Sequence, residues 1–133
     1  MSPNTSMDNA ASTAANVYAQ SSVENAPPLK IVRLLYQGAI RFLDNAAACD
    51  LRDRGSKFNH WLGRAEDIVI ELRASLNSEL APELALSLTD LYLFVEVAIH
   101  RARREQTVEP LSAARSVLVK LLEAWTAIET GKA

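Results

Sequence analysis

Apolar residues recur at helical spacing along four segments of the chain. Spacings of three and four residues put them on one face of each segment. This pattern predicts a helix over residues 29–48, a second from behind a capping Ser56 to about residue 77, a third over 82–104 and a fourth over 111–128. Because only short connections separate four helices of similar length, the predicted fold is all-α, an antiparallel up-down four-helix bundle domain over residues 29–130.

Residues 1–28 have a different composition from the rest of the chain. They carry only Asp8 and Glu24 as charges and are rich in Ser, Asn, Ala and Thr. A segment of this kind buries too little apolar surface to offset the entropy lost on ordering. It is therefore predicted to be a flexible N-terminal segment, with Tyr18 as one of its few larger apolar residues.

Composition restricts the classes of function. Of the 133 residues, 49% are hydrophobic and only 6% aromatic, with four Gly and five Pro, which favours one helical domain over a large α/β enzyme. The single Cys49 argues against a disulfide framework and a cysteine-based zinc site. A net charge of -2 gives no field that would attract nucleic acid or anionic lipid. With neither a signal peptide nor a membrane span in the sequence, we expect a cytoplasmic protein without membrane association.

The apolar residues exceed what the four core stripes require. The third helix carries a second set, Leu86, Leu93 and Val97, and the second helix adds Ile70. The fourth helix adds Val117 and Leu122 to this surplus. One interpretation is a wide core face with these residues on its flank. The other is a hydrophobic groove for a partner segment, because a large exposed apolar patch usually marks an interface.

Several single positions also admit specific expectations. Gly38, in the middle of a helix, indicates either close approach of a neighbouring helix or room for a partner backbone. Tyr36 and Tyr92 are predicted core rings whose hydroxyls reach a polar edge or water. The charged residues of the second helix, among them Glu66 and Arg73, are expected to pair along a solvated face. The three arginines between 101 and 104 are interpreted as positive charges that stabilise the negative, C-terminal end of a helix dipole. An anion site is the alternative.

Motifs for catalysis, metal binding or cofactor binding are absent from the sequence. It contains no Gly-rich phosphate loop, no G-x-S-x-G, no H-E-x-x-H and no paired Cys. We therefore expect no enzymatic activity, no cofactor and no metal. One alternative rests on the segment His60-Trp-Leu-Gly-Arg64, which loosely resembles the H-x-L-K-G motif of histidine phosphotransfer domains. In that alternative His60 accepts the phosphoryl group and Arg64 neutralises it, although Gly63 interrupts the motif.

Four segments match the pattern of one known family, in the same order and with nearly the same spacing. Residues 23–40, VENAPPLKIVRLLYQGAI, resemble V-x-T-A-S-P-x-x-L-x-x-M-L-Y-x-G-A-I, with Asn25 and Pro27 in place of its Thr and Ser. Residues 64–77, RAEDIVIELRASLN, match R-A-x-x-I-I-x-E-L-x-x-S-L-D. Residues 88–92, LTDLY, match L-x-x-L-Y, and residues 122–125, LEAW, match L-x-x-A-W. Over most of its length the chain thus resembles the flagellin export chaperones, the FliS family.

The resemblance implies a non-enzymatic helical bundle in the bacterial cytoplasm. Members bind the disordered C-terminal segment of flagellin, prevent its premature polymerisation and deliver it to the flagellar type III export gate. In this family an N-terminal tyrosine covers part of the hydrophobic surface until flagellin displaces it, and Tyr18 is the matching residue. The expected partner-binding residues are Ile70, Leu86, Leu93, Val97 and Tyr18. Formation of a homodimer stays open. Arg103 stands where the family has Asn, which indicates a divergent member.

Overall fold

The computed structural model describes residues 29–76 and 82–129. These residues form four helices: α1, Leu29–Ala47; α2, Phe58–Ala74; α3, Pro82–Glu105; and α4, Leu111–Glu129. No strand occurs within the described ranges. The all-α prediction is therefore confirmed, and the helices begin and end close to the predicted residues. The predicted flexible segment, with Tyr18, lies outside the described residues.

The helices pack as a closed ring of neighbours. Helix α1 contacts α2, α2 contacts α3, α3 contacts α4, and α4 contacts α1. Arg115 near the start of α4 donates to Asp44 near the end of α1, at 2.6 Å. Gln106, just beyond α3, donates to Asn59 at the start of α2, at 3.0 Å. Neighbouring helices therefore run in opposite directions, which confirms the antiparallel up-down four-helix bundle.

The interior of the bundle is filled by side chains from all four helices. Among the largest fully buried side chains are Trp125, Tyr36, Tyr92 and Phe58. The hydroxyl oxygens of Tyr36 and Tyr92 lie 2.5 Å apart across the centre of the bundle, and the Trp125 ring lies 5.8 Å from that of Tyr36. The prediction of two core tyrosines is confirmed. Their hydroxyls hydrogen-bond to each other in the interior, whereas the sequence predicted a polar edge or water.

Helix ends show one departure from the prediction. Lys57, not Ser56, occupies the capping position before α2, and no side chain caps the helix from there. The Ser56 hydroxyl still accepts a hydrogen bond from the Phe58 N–H, at 3.2 Å. At the C-terminal end of α3, Gln106 adopts a left-handed φ of 50°, and the Thr107 N–H donates to the Ala102 carbonyl. This is the hydrogen bond of a Schellman motif, which ends α3 and turns the chain toward α4.

Gly38 lies where α1 and α2 approach each other closely. A Cβ atom added there would lie 3.2 Å from Cδ1 of Ile68 on α2. The close-approach interpretation of this mid-helix glycine therefore agrees with the packing.

Candidate partner-binding surface

Ion pairs join α2 and α3 along the outside of the core. Arg73 donates two hydrogen bonds to the nearly buried Glu96, at 2.7 and 3.0 Å. Arg103 donates to Glu66 at 3.1 Å, and Nε2 of His100 lies 2.9 Å from the same carboxylate. The hydrogen bond to Glu96, and then its charge, raise the pKa of Arg73, so this guanidinium stays cationic. The expected pairing within a solvated face of α2 is therefore wrong for Glu66 and Arg73, which both bind α3.

Large apolar side chains lie outside this row of ion pairs. Leu86 and Val97 on α3 are 63% and 64% exposed, and Leu93 between them is 41% exposed. Ile70 on α2 is 40% exposed. We call these four residues the α2–α3 apolar surface.

Helical spacing and the register of the ion pairs locate these residues relative to the junction of the two helices. Leu86, Leu93 and Val97 follow one another at intervals of seven and four, so they share a face of α3. His100 continues that face and contacts α2, so the face borders α2. On α2, Ile70 lies one turn from Glu66 and one turn from Arg73, the two residues that hold α3. Ile70, Leu93 and Val97 therefore lie on the solvent side of the same junction, and Leu86 continues the stripe along α3 beyond the end of α2.

The order of residues outward from the core favours a groove over a wide core face. In a wide core face, apolar side chains would lie inside the charged pairs. Here the buried Leu72 and Ile99 lie inside, the ion pairs follow, and the α2–α3 apolar surface is outermost. Among the described residues nothing covers it. An exposed apolar cluster of this kind is typical of an interface with another protein.

Sequence reasoning missed part of the exposed apolar area and misassigned another part. Ile31 and Leu34 on α1 and Phe94 on α3 are about half exposed, although the sequence analysis did not single them out. The same search for apolar residues off the core stripe would have found them. In contrast, Val117 is buried and Leu122 half-buried, so the surplus assigned to α4 belongs to the core and its edge.

Two alternatives from the sequence, an anion site at the end of α3 and phosphotransfer at His60, depend on what surrounds these side chains. Arg101 pairs with Glu105 and Glu109, and the other two arginines at this end of α3 also contact carboxylates, which disfavours an anion site. His60 is exposed and its ring meets that of Trp61 edge-on, with centroids 4.8 Å apart. The guanidinium of Arg64 lies over the ring of Phe42, 5.2 Å from its centroid.

Within the ranges that the structure describes, no group of three or more His, Cys, Asp or Glu side chains is placed to hold a metal ion. None of the four helices, over the ranges given above, is long and apolar enough to cross a membrane.

Comparison with known proteins adds independent evidence. The model of the family described as flagellar protein FliS matches residues 10–132 of the chain. The flagellar secretion chaperone FliS of Vibrio cholerae is 30% identical over 112 residues, covering 84% of this chain and 82% of the relative. The FliS chaperone of Campylobacter jejuni is 27% identical over 117 residues, covering 88% and 91%. That of Bacillus subtilis is 27% identical over 108 residues, covering 81% and 80%. The chain therefore belongs to the FliS family of flagellar secretion chaperones.

Proposed function

We propose that this protein is a cytoplasmic chaperone for flagellin. It binds the disordered C-terminal segment of flagellin, prevents premature polymerisation and delivers the subunit to the flagellar type III export gate. One observation carries the proposal: the α2–α3 apolar surface lies outside the ion pairs that close the bundle. A secretion chaperone needs an exposed surface that its client can cover and later leave.

The shape of the surface indicates how the client binds. Leu86, Leu93 and Val97 form a stripe about eleven residues long on α3, or roughly 16 Å at 1.5 Å per residue. An amphipathic helix laid along the stripe would bury it with apolar residues at every third or fourth position. Because the client is disordered when free, its folding and binding are coupled. The affinity is then the balance between buried apolar area and the entropy that the client loses on ordering.

The N-terminal segment of the chaperone enters the proposal as a competitor of the client. We propose that residues 1–28 are a flexible segment preceding the bundle domain of residues 29–130, and that Tyr18 covers part of the apolar surface until flagellin arrives. A Tyr18→Ser variant should then bind flagellin more tightly, because less of the surface is covered in the free chaperone. A variant with weaker binding would instead make Tyr18 part of the client contact.

Calorimetry tests the proposed function. The full chain is titrated with the C-terminal ~50 residues of flagellin from the same organism, a length able to bury the area that coupled folding requires. We expect a dissociation constant in the micromolar range or below and a negative heat-capacity change. An N-terminal flagellin segment of equal length is the control and should not bind. Absence of binding by the C-terminal segment, or unchanged binding to Leu93→Asp, would refute the proposal.

A further inference from the structure

A second groove runs along the outer side of α1 and α2, away from the α2–α3 apolar surface. It has a volume of about 330 Å³. Leu35, Phe42 and Ile68 supply its apolar lining. Three charged residues of α2 complete it: Arg64, Asp67 and Glu71. The groove is thus apolar along its length and charged along its α2 side.

An aromatic and arginine cluster forms one end of this groove. The rings of Phe42 and Trp61 stack, with centroids 5.6 Å apart and planes inclined by 17°. The guanidinium carbons of Arg41 and Arg64 lie 5.3 and 5.2 Å from the centroid of the Phe42 ring. Attraction between a cation and an aromatic face holds each guanidinium at the ring. Two like charges, one from each helix, are therefore gathered at a single side chain.

Arg41 and Arg64 differ in their partners from the arginines that form ion pairs between helices. Arg73, Arg103 and Arg115 each bind a carboxylate of a neighbouring helix. Within the part of the chain that the structure describes, neither Arg41 nor Arg64 forms an ion pair. Their planar N–H groups remain available to a carboxylate from outside, for which guanidinium has a matching fork geometry.

We propose that Arg41 and Arg64 form a carboxylate clamp that recognises an acidic residue on a helix of the flagellar client. This inference rests on the proposed function, since it assigns a second contact to the same client. The apolar lining of the groove accommodates the client helix, and the clamp fixes which residue lies at that end. Holding the guanidiniums against Phe42 before binding lowers the entropy lost when the carboxylate arrives.

Glu71, further along α2, carries the charge opposite to that of the clamp. It therefore predicts a fixed spacing between two charged residues of the client helix. Glu71 follows Arg64 by seven residues, two helical turns or about 10 Å along α2. A client helix lying along the groove therefore presents an acidic residue at the clamp and a Lys or Arg seven residues away, opposite Glu71. The same helix with these two charges exchanged meets like charges at both ends and is rejected.

The experiment compares two double variants of equal charge. Arg41→Gln with Arg64→Gln removes the clamp, and Arg54→Gln with Lys57→Gln removes two exposed charges from the connection between α1 and α2. Each is titrated with the C-terminal ~50 residues of flagellin, after circular dichroism has confirmed equal helix content. We expect the clamp variant to bind about tenfold more weakly, the effect of two partly exposed ion pairs, and the control to bind within twofold of the wild type.

A double-mutant cycle between the client and the chaperone identifies the acidic residue of the client that the clamp binds. Each Asp or Glu of the flagellin segment is replaced in turn by its amide. The proposal expects one replacement that weakens binding to the wild-type chain and leaves binding to the clamp variant unchanged. Equal affinity of the clamp variant and the wild type, or additive effects for every replacement, would overturn the clamp while the proposed function stands. Absence of binding by the wild type would overturn both.

Discussion

The substitution Val97→Asp is expected to weaken client binding and to leave the stability of the fold almost unchanged. The side chain of Val97 is 64% exposed, so folding has already buried only about a third of it. Full burial of a valine stabilises by about 1.5–3 kcal/mol, so a client that covers the exposed part gains about 1–2 kcal/mol. Aspartate loses this gain and adds about 1–3 kcal/mol for an unpaired carboxylate at the interface. The sum predicts binding at least about thirtyfold weaker than wild type.

The stability of the free protein should hardly change in this variant. Substitutions at exposed positions usually alter the free energy of unfolding by less than about 0.5 kcal/mol. Arg101, four residues after position 97, already pairs with Glu105 and Glu109, so little pairing with a new Asp at position 97 is expected. Urea denaturation followed by circular dichroism measures the free energy of unfolding, and calorimetry with the flagellin segment measures the affinity for the client.

Val108→Asp is the matched control. Val108 is 38% exposed and lies between α3 and α4, outside the α2–α3 apolar surface. Its replacement introduces the same charge and should leave the affinity within twofold of wild type. The reasoning is refuted if Val97→Asp binds as tightly as wild type, or if both variants lose affinity equally.

Three further predictions concern the bundle itself, each measured as the free energy of unfolding in urea. Tyr36→Phe and Tyr92→Phe should each cost about 1 kcal/mol and the double variant less than their sum, because either change removes the shared hydrogen bond; additive costs would contradict this. Gly38→Ala should stabilise by about 0.5 kcal/mol, since a helix propensity gain of about 1 kcal/mol exceeds the small shift required of Ile68; a loss above about 1 kcal/mol would contradict it. Leu72→Ala should cost about 2–5 kcal/mol, and a cost below about 1 kcal/mol would contradict its place in the core.

The architecture could be predicted because it depends on local periodicity. Helical spacing, prolines and short connections locate the helices, and short connections leave antiparallel packing as the simplest arrangement. The family was also recognisable, since its motifs occur in order along the chain. Membership in a chaperone family confirms the expectation that the chain is not an enzyme.

The distinction between core and surface was harder to predict within single helices. Val97 and Val117 look alike in sequence, each lying off the main apolar stripe of its helix. Val97 is exposed beyond the ion pairs, whereas Val117 is buried between α4 and its neighbours. How far around a helix the core extends depends on where the adjacent helices pack, and a single helix does not contain this information.

Contacts between residues on different helices could not be predicted from the sequence, for a related reason. Glu66 and Arg73 have charged neighbours on α2, and local pairing rules favoured those neighbours. The relative register of α2 and α3 instead brings Arg103 and Glu96 opposite them. The same holds for Arg41 and Arg64, which meet at Phe42 only because α1 and α2 pack together.

Hydrogen exchange on the complex tests the central claim most directly. Amide exchange is followed by mass spectrometry for the free chain and for the chain saturated with the flagellin C-terminal segment. Binding at the α2–α3 apolar surface predicts slower exchange in residues 86–97 of α3 and around Ile70 of α2. Exchange in α4, whose described large apolar side chains are buried or half-buried, should stay unchanged. Protection confined to α4, with unchanged exchange in residues 86–97, would contradict the account.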